Sequence, residues 1–251
     1  MKNLIYGIAV AALIGSPALA ADMALKAPSP PAAVSSWTGC YIGANIGGIW
    51  SRETTTWVSE IAGIAPGPVT PPQARGSLTA SGFAYGGQVG CDYQFNQNWV
   101  VGIRGMWDGT TARGSVGVPI PNVGNVVGED DNSRLESLAT LTGRVGVLVN
   151  PTVMLYGVGG AAWVWDRFTT TAPGSGEVLA ASYTRAGYDV GAGISWLAAP
   201  NWEFWLEYDH MGFASHTIGM VGADFVAGFI YGFNQTQNVD KILVGANWRF
   251  K

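Results

Sequence analysis

An all-β fold, an eight-stranded antiparallel β-barrel crossing a membrane, is predicted by three observations taken together. Segments with an apolar side chain at every second position return eight times, tight turns and long connections alternate between them, and the last segment brings the chain to an aromatic residue. Successive strand side chains point to opposite faces, so each such segment has one apolar face and one polar or small face.

The elements can be justified in order. Lys2 gives a positive start, Leu4 to Ile14 is an apolar run too short to span a bilayer, and Ala18-Leu19-Ala20 supplies a small-x-small cleavage site. Residues 1–20 therefore read as a cleaved secretory signal peptide. Residues 21–36, with Pro28, Pro30 and Pro31, read as an Ala/Pro-rich periplasmic lead-in, and 37–251 as the barrel domain. Strands are predicted at 37–50, 81–95, 99–112, 134–149, 153–168, 182–198, 202–213 and 238–250. Asn96-Gln97-Asn98, Asn150-Pro151-Thr152 and Ala199-Pro200-Asn201 are tight turns built from residues that favour turns. The other connections, 51–80, 113–133, 169–181 and 214–237, are long. Short periplasmic turns and long extracellular loops are the pattern of a transmembrane barrel with both chain ends in the periplasm.

Composition agrees. Charged residues are 12% of the chain and hydrophobic residues 48%, against about 25% charge in a soluble domain. No stretch after the signal peptide approaches 18 consecutive apolar residues, so the apolar content is spread over alternate strand positions. Glycine, at 36 residues, suits a narrow interior and turns. The net charge of −4, without a Lys/Arg cluster, argues against nucleic acid.

Parity assigns the faces. In the last strand Ile242, Val244, Ala246, Trp248 and Phe250 point to lipid, and Asn247 and Arg249 inward. In the seventh, Trp202, Phe204, Leu206 and Tyr208 point to lipid, and Glu203, Glu207 and Asp209 inward. The fifth is ambiguous, because Tyr156 and Asp166 share a face with Val158 and Val164. Trp99, Trp196, Trp202 and Trp248 lie near periplasmic turns or the chain end and form a lower aromatic girdle, at the depth of the headgroups.

The inward charges Asp92, Arg104, Asp108, Arg144, Asp189, Glu207 and Lys241 mix both signs. Enclosed charges must find partners, and an eight-stranded barrel is narrow enough for side chains to fill. A lumen network of salt bridges is expected ahead of an ion pathway or a wide pore. Cys40 and Cys91 fall on the lipid face of neighbouring strands in an oxidising compartment, which predicts a cross-strand disulfide; two unpaired thiols are the alternative. No metal site or cofactor is expected, because neither cysteine has a histidine at ligand spacing. His210, Ser215 and His216, with Glu207 upstream, are the nearest approach to a hydrolase constellation, but His210 has lipid-facing parity and Ser215-His216 begin a loop. No catalytic residue is assigned. The second and fourth long loops are unusually apolar, with Val116, Val118, Ile120 and Val123 in one and Ile218, Met220, Phe225, Phe229 and Phe233 in the other. They pack between loops or meet an unidentified surface partner.

The stretches Trp37-Thr38-Gly39-Cys40-Tyr41-Ile42-Gly43, Gly86-Gly87-Gln88-Val89-Gly90-Cys91-Asp92-Tyr93, Gly143-Arg144-Val145-Gly146, Asp189-Val190-Gly191-Ala192-Gly193, Pro200-Asn201-Trp202 and Val244-Gly245-Ala246-Asn247-Trp248-Arg249-Phe250 arrive in an order that resembles the outer membrane immunogenic, or porin-family, proteins of alphaproteobacteria. The resemblance implies an eight-stranded barrel in the outer membrane and no catalytic residues. It also implies that Trp248 and Phe250, followed here by Lys251, serve as a recognition signal for the barrel assembly machinery. The expected partners are outer-membrane lipid and lipopolysaccharide. The expected role is structural, in envelope integrity and surface contacts, with a narrow channel for small solutes or ions as the alternative and a lipid-modifying enzyme behind it.

Overall fold

The computed structural model describes residues 36–62, 65–118, 129–172, 177–221 and 230–250. The signal peptide, all but the last residue of the lead-in, and Lys251 lie outside them. Every regular element among the described residues is a strand: β1 Gly39–Ala62, β2 Ala65–Gln94, β3 Trp99–Thr110, β4 Arg113–Val118, β5 Glu129–Asn150, β6 Val153–Ala172, β7 Glu177–Ala199, β8 Trp202–Val221 and β9 Ile230–Phe250. All pairings are antiparallel. The order closes on itself because β1 pairs with both β2 and β9. β3 and β4 share one place in the ring, since each pairs with β2 and with β5, so nine segments make an eight-membered barrel. Closure removes every sheet edge, which a sheet needs in hydrocarbon, where no water can satisfy a free backbone group.

The tight turns are fixed by their asparagines. Asn96 Oδ1 accepts from the backbone N–H of Asn98 at 2.9 Å and of Trp99 at 2.8 Å. Asn150 Oδ1 does the same for Thr152 N–H at 2.9 Å. Asn201 reaches across to donate to the Arg249 carbonyl at 2.7 Å, tying the third turn to the last strand.

The opposite ends of the strands correct the sequence reading. Segments 51–80, 113–133, 169–181 and 214–237 are not loops for most of their length: β1 and β2 stay paired up to Ala62↔Ala65, and β6 and β7 up to Ala172↔Glu177. Ser215 and His216 lie within β8 rather than at a loop start. The cause is the change of solvent. Beyond Trp50 the outer face meets water, and Arg52, Thr54 and Thr56 alternate with Glu53 and Thr55. Strand geometry continues there with no apolar/polar contrast to reveal it. The apolar stretches at 119–128 and 222–229 lie outside the described residues.

On the lipid face an exposed apolar belt runs from Trp99, Trp196, Trp202, Trp248 and Phe250 at the short-turn end to Trp50, Phe83, Trp107, Tyr188 and Tyr208. Trp202 packs edge-on against Trp248 with ring centroids 5.1 Å apart. Cys40 stands directly opposite Cys91 on this face and is disulfide-bonded to it.

Candidate functional site

The barrel interior collects the side chains of the opposite parity, and it is arranged in tiers. At the periplasmic end two arginines and two carboxylates form a closed ring. Arg144 of β5 pairs with Asp92 of β2 and, at 3.2 Å, with Glu203 of β8; Arg249 of β9 pairs with the same Asp92 at 2.9 Å and the same Glu203 at 2.5 Å. All four side chains are fully buried. Ser195 and Asn247 both donate to Glu203, at 2.8 and 3.2 Å, so the carboxylate's remaining acceptor capacity is used. Aromatic faces cover the guanidiniums: Arg144 lies over Tyr41 and Tyr156, at 5.4 and 4.9 Å, and Arg249 over Tyr41 and Trp37, at 5.2 and 5.5 Å. Trp37 precedes β1 and is fully buried beneath the ring, its indole N–H donating to the Pro151 carbonyl at 3.2 Å.

The next tier pairs Arg104 of β3 with Glu207 of β8 through its two terminal guanidinium nitrogens, at 2.5 and 2.9 Å, under the Trp205 ring. The Trp205 indole occupies the space a Cβ at Gly245 would need, 2.3 Å from that position, so glycine is what lets the ring lie flat on β9. Lys241 of β9 donates to Asp108 at 3.0 Å and sits 3.5 Å from Asp209. Asp189 faces the same group, and among the described residues neither its oxygens nor those of Asp209 accept a hydrogen bond. One ammonium therefore serves three buried carboxylates.

Interleaved with these ion pairs and continuing above them is one buried apolar cluster: Ile49 pairs with Lys241 and Leu138 with Asp108, while Leu135, Met211, Phe213 and Val239 lie beyond them. Past it the lumen becomes polar again, level with strands that have risen beyond the lipid belt. Glu53 accepts from Ser133 and Gln235, both at 2.7 Å, and Gln237 bridges toward Asp166, which pairs with Arg185 at 3.2 Å. Burial, reinforced by the nearby Asp166 carboxylate, pushes Glu53 up to about 7.

All seven charges expected in the lumen point inward, and the structure joins them into these groups: Asp92 with Arg144, Arg104 with Glu207, and Lys241 with Asp108, facing Asp189. Missed as network members were Glu203, Asp209 and Arg249, whose inward parity was legible, and the upper tier, of which Asp166 and Arg185 lie in expected strands while Glu53, Ser133, Gln235 and Gln237 lie in segments read as loops. The ambiguous fifth strand resolves too: Tyr156, Val158, Val164 and Asp166 are all buried inside and Leu155 faces out. His210 bonds Asp240 at 2.8 Å on the outer face, beside the Tyr208 hydroxyl, which donates to the same carboxylate at 2.6 Å; among the described residues no serine bonds to them.

Sequence comparison identifies this architecture independently. The model of the outer membrane protein beta-barrel domain matches residues 9–250. The chain belongs to that family. The family places it in the outer membrane, with the short turns toward the periplasm. Among its relatives, the 31 kDa outer-membrane immunogenic proteins of Brucella melitensis and Brucella suis are each 28% identical over 100% of both chains. Among solved structures, the outer membrane protein OprG of Pseudomonas aeruginosa superimposes with a TM-score of 0.50 at 14% identity, covering 85% of this chain and 96% of that one. The likeness to OprG extends to the fold.

Proposed function

We propose that this family member is a structural outer-membrane barrel that supports envelope integrity and offers its extended outer wall for surface contacts, with a closed interior and no chemistry of its own. The observation that carries the reading is the filled interior: a fully buried ring of two arginines and two carboxylates, then further ion pairs interleaved with an apolar cluster whose upper part, Leu135, Met211, Phe213 and Val239, continues beyond them. An ion crossing that cluster would leave water without gaining a partner, which is costly. Its lifelong partners are then outer-membrane lipid and lipopolysaccharide, with the assembly machinery engaging Trp248 and Phe250 during biogenesis. Planar-bilayer recording of the refolded mature chain tests the closed interior. A silent bilayer is expected, and stable, reproducible conductance steps would overturn it. A deletion strain should become sensitive to detergent and bile salts, with sensitivity reversed by the intact gene.

One observation favours a second reading, a narrow cation path: the three carboxylates around Lys241 leave a local surplus of negative charge. That reading requires conductance steps with a cation-selective reversal potential. A lipid-modifying activity would require altered lipid A on expression in a suitable host; unchanged lipid A is expected.

A further inference from the structure

Three outward arginines form a row across three strands. Arg113 of β4 stands directly opposite Arg134 of β5, and Arg134 directly opposite Arg167 of β6. All three are exposed, whereas Ala112, Leu135 and Asp166 next to them in sequence are buried on the lumen side. Like charges directly opposite each other on one sheet face repel and destabilise the pairing. Glu136, 3.4 Å from Arg167, offsets one of them. Among the described residues Arg113 and Arg134 have no ion-pair partner.

The row also has a defined depth. Two residues below Arg167 on the same face of β6 is Trp165, whose ring lies 4.8 Å from that of Trp107 on β3, and Trp163 follows two residues further down. Indole rings favour the membrane interface, so the arginines begin where the outer leaflet's headgroups begin. Adjacent strands are about 4.8 Å apart, which gathers three guanidinium forks within about 10 Å along the row. A guanidinium binds phosphate through two parallel N–H···O bonds.

We propose that the Arg113–Arg134–Arg167 row is a binding site for the phosphorylated headgroup of lipopolysaccharide in the outer leaflet. The proposal rests on the outer-membrane surface barrel described above and names the contact through which it holds its lipid. The repulsion within the row is then relieved by the ligand, and the site's position at the aromatic depth selects an embedded headgroup over an anion free in solution.

The test uses the full mature chain, refolded in detergent micelles and titrated with bis-phosphorylated lipid A, with binding read by native mass spectrometry. Wild type is expected to prefer this lipid to the same lipid A after dephosphorylation. A basic residue near an anionic membrane surface is worth about 1 kcal/mol, so Arg134→Gln should weaken binding about five-fold and Arg113→Gln/Arg134→Gln/Arg167→Gln on the order of a hundred-fold. Arg52→Gln, an exposed arginine opposite Thr79 and Asn238 rather than in the row, should change it less than about two-fold. Undiminished binding by the triple variant, equal affinity for the dephosphorylated lipid, or an equal loss in Arg52→Gln would each overturn the site. Displacement of lipid A by equimolar inorganic phosphate or heparin would also overturn it, reassigning the row to a soluble anion. Heat-modifiable gel mobility is measured on each variant, so loss of the barrel is distinguished from loss of the site; if the triple variant does not fold, Arg134→Gln decides.

Discussion

Replacing Arg144 with leucine should destabilise the barrel more than any other single change at its periplasmic end. Arg144 bonds Asp92 through Nη2 and, at 3.3 Å, through Nε, and bonds Glu203 through Nη1 at 3.2 Å. Without it, two buried carboxylates share Arg249 alone, and a balanced ring acquires one surplus negative charge. Breaking a buried pair by removing one partner costs about 3–5 kcal/mol. Loss of the contacts to Tyr41 and Tyr156 adds roughly 0.5–1 kcal/mol each, partly offset by the apolar side chain introduced, so about 4 kcal/mol is expected. Urea unfolding of the refolded protein in phospholipid vesicles, followed by tryptophan fluorescence, measures it. The decisive comparison is Arg144→Leu/Glu203→Gln, which leaves Asp92 facing Arg249 as a neutral pair. The double variant should recover about 1–2 kcal/mol relative to the sum of the single changes, within the coupling range of neighbouring residues. Strict additivity, or a loss below about 1 kcal/mol for Arg144→Leu, would refute the idea that the ring acts as one dehydrated unit.

Three further outcomes are expected. Peptide mass analysis without reduction should recover Cys40 and Cys91 as one bridged species; because the bridge closes 51 residues of chain, Cys40→Ser/Cys91→Ser should lower the unfolding free energy by at most about 4 kcal/mol. Gly245→Val should cost roughly 1–3 kcal/mol in the same unfolding assay by driving Trp205 off β9, and an unchanged midpoint would show the ring has room to move. Glu53, raised to about 7, holds its proton more tightly when folded than when unfolded, so its contribution is intact below the ordinary carboxylate range and is lost as pH rises through 7. Amide protection factors, with the intrinsic pH dependence of exchange divided out, should fall in the upper parts of β1 and β9 between about pH 5 and 8 in wild type and stay level in Glu53→Gln.

What was legible in the sequence follows the contrast between lipid and lumen. Between Trp99 and Asp108, or between Trp202 and Asp209, every outward position meets hydrocarbon and every inward one meets other side chains, so parity alone assigns the faces. Cys40 and Cys91 were legible for the same reason, since parity puts both on the outward face of neighbouring strands and both lie near the short-turn end. Above the belt the contrast vanishes. Glu53 and Asp131 lie in strands that read as loops because both faces are polar, and partners such as Ser133 and Gln235 are far from Glu53 in sequence. The arginine row was hidden by register: nothing in the sequence says that Arg113, Arg134 and Arg167 are neighbours until strands β4, β5 and β6 are paired. Trp37 was read as the first residue of the strand at 37–50, yet it precedes β1 and its indole N–H donates to the Pro151 carbonyl inside the barrel.

The tiers also say how the closed interior should respond to damage. A lumen blocked only by its charges would open when the ring of Asp92, Arg144, Glu203 and Arg249 is broken. Here the upper part of the apolar cluster, Leu135, Met211, Phe213 and Val239, lies further along the axis and shares none of those four residues. Water entering the broken ring reaches Arg104 and Lys241, whose partners remain, and then meets side chains that offer it no hydrogen bond. Arg144→Leu should therefore be weakened in urea and still silent in a planar bilayer. Conductance appearing with that one substitution would mean that the ion ring alone closes the barrel, and the apolar cluster would have to be read as packing between strands rather than as a second barrier.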